Sequence, residues 1–165
     1  MKYAGIVYDD FVNGENVCVS LWMQGCHFHC KGCFNSSTWD FNGGYEIPEN
    51  FEADILKAIS KNGIQRNFSV LGGEPLCPEN RAFVCNLVKK VRQTYPTIKI
   101  FIWTGYELEE LQKEGDETIC EILKNIDVLI TGRFILEQRD ITLPLRGSRN
   151  QKVLYKEKDF NCRIG

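Results

Sequence analysis

The sequence predicts an α/β protein built on an open, curved sheet that closes only part of a (β/α) barrel. Short apolar segments alternate with segments of helical periodicity along the 165 residues. This alternation is typical of parallel strands joined by right-handed crossovers. A complete eightfold barrel needs at least about 200 residues, so this chain can close only part of one. No repeat or linker-like stretch interrupts the pattern, and we expect a single domain over residues 1–165.

The first predicted strand runs from Val17 to Met23. It is short, apolar and β-branched, and it leads directly into a polar loop that carries three cysteines. An amphipathic helix is predicted over residues 48–61, where apolar side chains recur at helical spacing. A second strand, Phe68 to Leu71, then runs into the turn Gly72-Gly73-Glu74-Pro75.

The alternation continues through the second half of the chain. We expect a helix near Pro78 to Thr94, a strand from Lys99 to Trp103, one or two helices between Glu107 and Asn125, and a strand from Asp127 to Ile130. Ligands of such sheets bind at the carboxyl ends of the strands. The loops that follow the predicted strands should therefore form the site.

The composition argues against several classes of function. The formal net charge is −2, whereas nucleic-acid-binding domains normally carry a clustered basic face. No apolar run reaches the roughly 18 residues of a membrane span, and the first residues lack the layout of a signal peptide. We therefore expect a cytoplasmic protein that binds neither nucleic acid nor membranes.

Three of the eight cysteines, Cys26, Cys30 and Cys33, form a C-x3-C-x2-C motif. In a reducing compartment such a group more often binds metal than forms disulfides. Three thiolates can hold three irons of a 4Fe–4S cluster and leave the fourth iron open to a substrate. The spacing alone also allows an electron-transfer cluster or structural zinc, because His27 and His29 lie in the same loop, although no second pair of zinc ligands follows.

The turn Gly72-Gly73-Glu74 follows the second predicted strand. Glycines there let a ligand approach the backbone closely, and a carboxylate can accept a hydrogen bond from an ammonium group. Alone, this is an ordinary strand-to-loop connection. Together with the cysteine motif it resembles the radical S-adenosylmethionine superfamily, in which the methionyl amine and carboxylate chelate the open iron. The resemblance implies a partial, open (β/α) barrel of the radical S-adenosylmethionine type.

Further segments resemble one family of that superfamily, the activating enzymes of anaerobic (class III) ribonucleoside-triphosphate reductase. They span nearly the whole chain and comprise Asp10–Gly14, Gly25–Asn35 with Thr38-Trp39, Trp103–Leu111 and Leu145–Gln151. Two places depart from the family pattern. Thr131-Gly132-Arg133 stands where relatives often carry an aspartate before the glycine, and the tail from Tyr155 to Gly165 matches no segment of the family.

The resemblance implies an iron–sulfur activase. A low-potential donor such as flavodoxin or ferredoxin would reduce a 4Fe–4S cluster on Cys26, Cys30 and Cys33. The cluster would cleave S-adenosylmethionine to methionine and a 5′-deoxyadenosyl radical. That radical would take a hydrogen from a glycine of the partner reductase. The nearest rival is activation of pyruvate formate-lyase or another glycyl-radical enzyme, and a zinc-stabilised binding module is the alternative of another class. The oligomeric state is not determined by the sequence, and a homodimer is allowed.

The resemblance also assigns residues to S-adenosylmethionine. The methionyl amine should meet Gly72, Gly73 and Glu74. Thr104 and Arg133, each just past a predicted strand, are candidates for the ribose or the carboxylate. It is an equally good interpretation that the Thr104 hydroxyl caps a turn and that the Arg133 guanidinium is solvated.

The cysteine loop supplies the remaining candidates. The backbone around Gly32, Cys33 and Phe34 should lie near the adenine. His27 and His29 are candidates for hydrogen-bond donors to the sulfides, which would tune the cluster potential. Partly exposed loop histidines are an equally good interpretation.

Five cysteines lie outside the motif: Cys18, Cys77, Cys85, Cys120 and Cys162. Such cysteines are most often buried as small apolar side chains. Cys77, three residues after Glu74, is the one we single out for redox chemistry. The terminal Gly165 is not expected to be the radical glycine, which the resemblance places on the partner.

Overall fold

The computed structural model describes residues 1–160, in which four α-helices and one seven-stranded mixed sheet are present. The strands lie in the order β3-β1-β2-β4-β5-β6-β7. Their bounds are β1 Lys2–Asp10, β2 Cys18–Met23, β3 Tyr45–Glu46, β4 Asn67–Gly72, β5 Ile100–Trp103, β6 Val128–Thr131 and β7 Lys152–Tyr155. The helices are α1 Phe51–Ile59, α2 Pro78–Thr94, α3 Leu108–Glu114 and α4 Glu117–Asn125.

The centre of the sheet confirms the predicted parallel strands. β2, β4, β5 and β6 are parallel neighbours in chain order, with Trp22 opposite Leu71 and Trp103 opposite Ile130. Each new strand is added on the same side of the last, so right-handed crossovers bring every connecting helix to one face. All four described helices contribute to a single apolar core on that face, against Leu21 of β2 and its equivalents on the neighbouring strands.

The three other strands are antiparallel and were not predicted. β1 pairs with β2 and β3, and β7 pairs with β6. β1 lacks a clean alternation of apolar and polar residues because its register with β2 shifts twice, between Tyr3 and Gly5 and between Val7 and Asp10. The first helix is also shorter than predicted, since it begins at Phe51 rather than at residue 48.

The second face of the sheet is covered by irregular chain instead of helices. Phe101, Val128 and Ile130 form a smaller apolar cluster there, against which Leu145 packs. The loop after β1 also packs on this face, where a side chain at Gly14 would collide with Cys18 and Ser69. No helix within residues 1–160 combines the length and apolarity needed to cross a membrane.

Candidate functional site

A cleft of about 490 Å³ lies at the carboxyl ends of the parallel strands, as the fold class predicts. Each of these strands leads into part of its lining. The lining residues are the three motif cysteines after β2, Gly72 to Glu74 at the end of β4, Thr104 and Gly105 after β5, and Gly132 to Phe134 after β6. The opposite wall comes from Val12 and Asn13 and from the irregular segment that contains Leu145 and Arg146.

The cysteine loop is closed on itself by backbone hydrogen bonds. The Gly25 N–H donates to the Thr38 carbonyl at 2.6 Å, and the Cys26 N–H donates to Trp39 at 3.1 Å. The buried Gln24 side chain adds two donor bonds from Nε2, to the carbonyl oxygens of Ser37 and Asp40. These bonds join residues 24–26 to residues 37–40, so both ends of the cysteine loop are anchored at the end of β2.

The three motif cysteines fit the ligand set of a 4Fe–4S cluster that leaves one iron open. All three line the same cleft. Burial raises the pKa of Cys26 above its usual value, and hydrogen bonds from the backbone of Phe28 and His29 oppose that rise. The Asn35 N–H donates to Cys33 Sγ at 3.3 Å. Iron would deprotonate these thiols, and N–H donors of this kind stabilise thiolates and tune a cluster.

Within residues 1–160 no three His, Cys, Asp or Glu side chains converge closely enough to hold one metal ion. A tetrahedral zinc site with Zn–S bonds of about 2.3 Å would bring its sulfurs to about 3.8 Å from one another. A cubane has no such requirement, because each of its cysteines binds a different iron. The donor set is therefore compatible with the predicted cluster.

The Gly72-Gly73-Glu74 turn is bound to the start of the cysteine loop. The Gly73 N–H donates to the Met23 carbonyl at 2.9 Å, and the Glu74 N–H donates to Gly25 at 2.8 Å. A Cβ at Gly73 would lie 2.4 Å from the Gly25 carbonyl oxygen. Gly73 is thus required by close backbone packing against the cysteine loop, whereas a Cβ at Gly72 would lie 2.7 Å from backbone atoms of Met23 at the end of β2. Their contact with a ligand stays a prediction.

The Glu74 carboxylate is buried at the centre of a hydrogen-bond network. Its Oε2 accepts from the Leu76 N–H and from Thr104 Oγ1, both at 2.8 Å, and its Oε1 accepts from the Gly105 N–H at 2.6 Å. Burial raises the pKa of Glu74 to about 7, although these three donors and the charge of Arg133 oppose the rise. This carboxylate therefore joins the turn after β4 to the loop after β5.

Thr104 and Arg133 both line the cleft, and both already have protein partners. The Thr104 hydroxyl donates to Glu74 and accepts from the Tyr106 N–H at 3.2 Å, as expected for a hydroxyl that caps a turn. The Arg133 guanidinium pairs with Glu110 at 3.1 Å and lies over the Phe28 ring at 4.3 Å. Their contact with the ribose or the carboxylate stays a prediction.

Two of the three residues predicted to lie near the adenine, Cys33 and Phe34, line the cleft. Gly32 has a φ of +77°, and a Cβ there would lie 2.8 Å from Leu136. A glycine is therefore needed at this position for the turn of the cysteine loop. The Phe34 ring packs against Phe134 at 5.1 Å.

The two loop histidines contact protein groups. His27 Nε2 lies 2.8 Å from both carboxylate oxygens of Glu79, which stands in the first turn of α2. The His29 ring stacks on Trp39 at 4.5 Å, with a backbone φ of +48°. These contacts fit the structural interpretation of both histidines, and a role as donors to the sulfides stays a prediction.

The cysteines outside the motif that the structure describes are buried. For Cys77, burial raises the pKa to about 12. Reactive cysteines are accessible and have a lowered pKa, so the geometry argues against the redox role singled out for this residue. Cys162 and Gly165 lie outside the described residues.

Sequence reasoning missed two residues that shape the site. Asn80, in the first turn of α2, is buried, and its Nδ2 donates to the carbonyls of Gln24 at 3.2 Å and Glu74 at 3.0 Å. Arg146 reaches the cleft from an irregular segment. A family signature containing Arg146 was recognised, but periodicity gives no information on where an irregular segment packs. Asn80 carried no signal beyond its place near a helix start.

Comparison with known families defines the class of the chain. Residues 12–154 match the family described as a 4Fe-4S single cluster domain. That range contains the whole cysteine loop and the ends of the four parallel strands.

Curated relatives define the family more narrowly. The chain is 38% identical over 157 residues to the anaerobic ribonucleoside-triphosphate reductase-activating protein of Pasteurella multocida, covering 94% of this chain and 98% of the relative. Proteins of the same name from Escherichia coli strain K12 and Enterobacteria phage T4 are 36% and 38% identical over 154 residues. Each match covers 93% of this chain, together with 97% of the Escherichia coli protein and 93% of the phage protein. The chain therefore belongs to the family of anaerobic ribonucleoside-triphosphate reductase-activating proteins.

Proposed function

We propose that this protein is an iron–sulfur activase that cleaves S-adenosylmethionine reductively and generates a glycyl radical on anaerobic ribonucleoside-triphosphate reductase. The observation that carries the proposal is the convergence of two motifs on one cleft. Cys26, Cys30 and Cys33 line the same cavity as the Gly72-to-Glu74 turn, and backbone hydrogen bonds join the two. The family of the chain supports this partner over pyruvate formate-lyase.

When bound, the reduced cluster supplies the electron that breaks the sulfonium–C5′ bond, and the resulting 5′-deoxyadenosyl radical removes a hydrogen atom from the partner glycine. The three cysteines would hold three irons. The turn after β4 would receive the methionyl amine through the backbone carbonyls of Gly72 and Gly73 and the remaining acceptor site of the Glu74 carboxylate, which already accepts three protein donors. Thr104 would act by orienting Glu74.

The fold supports a partial (β/α) barrel of the radical S-adenosylmethionine type. β2, β4, β5 and β6 follow one another in chain order, and the helices share one face. A barrel is built by repeating that step, whereas a doubly wound sheet reverses its strand order. We propose one such domain over residues 1–165. It would act in the cytoplasm, as a monomer or a homodimer, with flavodoxin or ferredoxin as the electron donor.

The test is anaerobic reconstitution with iron and sulfide, followed by incubation with dithionite and S-adenosylmethionine and an assay for 5′-deoxyadenosine. We expect about four irons and four sulfides per chain and formation of 5′-deoxyadenosine. Cys30→Ala should abolish that product. Cys85→Ala, which removes a buried thiol outside the cleft, is the matched control and should retain it.

Two outcomes would refute the proposal. One colourless zinc per chain in place of iron would favour a zinc-stabilised binding module. Equal 5′-deoxyadenosine yields from the wild type and Cys30→Ala would remove the cluster from the reaction. The partner is tested separately, by the electron paramagnetic resonance signal of a glycyl radical on the reductase and its absence when pyruvate formate-lyase is supplied instead.

A further inference from the structure

Arg146 lines the cleft and carries a hydrogen-bond donor without a protein partner among residues 1–160. Its Nε is buried, and within residues 1–160 it has no hydrogen-bond partner. Other arginines of the chain differ, because Arg66, Arg81 and Arg133 each pair with a carboxylate. A buried donor without a partner destabilises the protein, and more so when the group is charged. A ligand that supplies an acceptor at this point would recover that energy.

The position of this guanidinium is fixed by its neighbours. Its Nη1 donates to the Gln151 carbonyl at 2.8 Å, and the next residue, Gly147, donates its N–H to Gln151 Oε1 at 2.8 Å. The preceding Leu145 has a φ of +63°, which is unusual for a leucine, and its carbonyl accepts a 2.6 Å bond from Trp103 Nε1. Arg146 is thus held against the end of β5 before any ligand binds.

The surroundings of Arg146 suit a peptide backbone. Trp22, Leu71 and Trp103 line the cleft on the sheet face and offer large apolar surfaces. Leu145 and Arg146 also line a second cavity of about 480 Å³, whose other walls include Gly14 and Tyr155. Arg146 therefore stands where the two cavities adjoin, and the motif cysteines line only the first of them.

We propose that Arg146 is a positioning residue for the protein substrate. Its Nε–H would bind a main-chain carbonyl oxygen of the glycine-bearing segment of the reductase. This inference rests on the proposed function and extends it to the recognition of the partner. A glycine offers no side chain for recognition, so the acceptor that every residue carries, its carbonyl oxygen, is the group that can orient its Cα–H.

The test separates substrate positioning from cofactor binding. We compare wild type with Arg146→Gln and with Arg149→Gln, a matched control that removes the same charge from an exposed position three residues away. Arg146→Gln should raise the reductase concentration that half-saturates glycyl-radical formation by about 10- to 100-fold, the range for a lost charged hydrogen bond. Formation of 5′-deoxyadenosine without reductase should stay within about twofold of wild type.

A second readout needs no cofactor. A fluorescent synthetic peptide that carries the reductase glycine and its flanking residues is titrated with iron-free protein. Its Kd should rise by about tenfold or more for Arg146→Gln and stay unchanged for Arg149→Gln. Arg146→Lys should behave like Arg146→Gln, because lysine keeps the charge but lacks the planar Nε–H. Circular dichroism verifies folding, and the lysine variant decides the matter if the glutamine variant does not fold.

Three results would overturn the inference. Unchanged half-saturation and peptide Kd in a folded Arg146 variant would remove its role. A parallel fall in the 5′-deoxyadenosine formed without reductase would make Arg146 a cofactor residue instead. Full rescue by lysine would reduce its role to charge alone. Absence of 5′-deoxyadenosine from the wild type would refute the proposed function, which is a different outcome from these three.

Discussion

Replacing Gly73 with alanine should displace the cysteine loop. The new Cβ would lie 2.4 Å from the Gly25 carbonyl oxygen and 3.0 Å from that of Thr38, whereas ordinary contacts begin at 3.4 Å. The backbones must therefore separate by about 1 Å. That movement breaks the 2.8 Å bond from the Glu74 N–H to Gly25 and strains the 2.6 Å bond from Gly25 to Thr38. Two backbone hydrogen bonds at about 1 kcal/mol each, plus about 1–3 kcal/mol of strain, give a loss of about 3–5 kcal/mol.

Urea unfolding of the iron-free protein, followed by circular dichroism, measures the loss. Gly5→Ala is the matched control, because its Cβ would have no neighbour within 4 Å, and it should change the free energy of unfolding by less than about 0.5 kcal/mol. Gly73→Ala should also bind less iron on reconstitution. A Gly73→Ala protein within about 1 kcal/mol of wild type would refute the steric argument. A destabilised protein that still binds its full iron would refute the coupling to the cysteine loop.

Two further predictions concern buried charges. Because the pKa of Glu74 is raised from 4.5 to about 7 in the folded protein, ionisation destabilises the fold. The free energy of unfolding of the iron-free wild type, compared with that of Glu74→Gln, should therefore fall by about 3 kcal/mol as the pH rises from 4.5 to above 7. A difference between the two proteins that does not change with pH would contradict this prediction. Arg81→Ala should lower the free energy of unfolding by about 2 kcal/mol, because the buried Arg81 guanidinium pairs with the partly exposed carboxylates of Glu114 and Asp116. Lys90→Ala removes an exposed ion pair and should lower it by less than about 0.5 kcal/mol. Equal unfolding free energies for those two variants would contradict the second prediction.

The parallel part of the fold was predictable because each of its strands is a compact apolar segment followed by a turn. β4 runs from Asn67 to Gly72, close to the predicted Phe68 to Leu71, and α2 has the predicted bounds. β1 was not predictable in the same way, because its bulges interrupt the alternation of period two. β3 has two residues and β7 has four, too few for periodicity to distinguish a strand from a loop.

The candidate site was predictable where one motif supplies several groups, and not where groups meet across strands. The cysteine loop and the Gly72-to-Glu74 turn were both recognised as site segments, and both line the cleft. The bond from Thr104 to Glu74 was missed, because it depends on β4 and β5 being neighbours in the sheet. The cleft wall at Arg146 was missed for a related reason, since an irregular segment has no periodicity that reports where it packs.

The Gly72-to-Glu74 turn therefore has a structural role that any ligand role must accommodate. Through backbone atoms it holds the cysteine loop at Gly25, and through the Glu74 carboxylate it holds the loop after β5 at Thr104 and Gly105. A carboxylate has about four acceptor sites, and these donors use three of them. The glutamate can therefore position the turn and still offer an acceptor to an ammonium group, alongside the backbone carbonyls of Gly72 and Gly73.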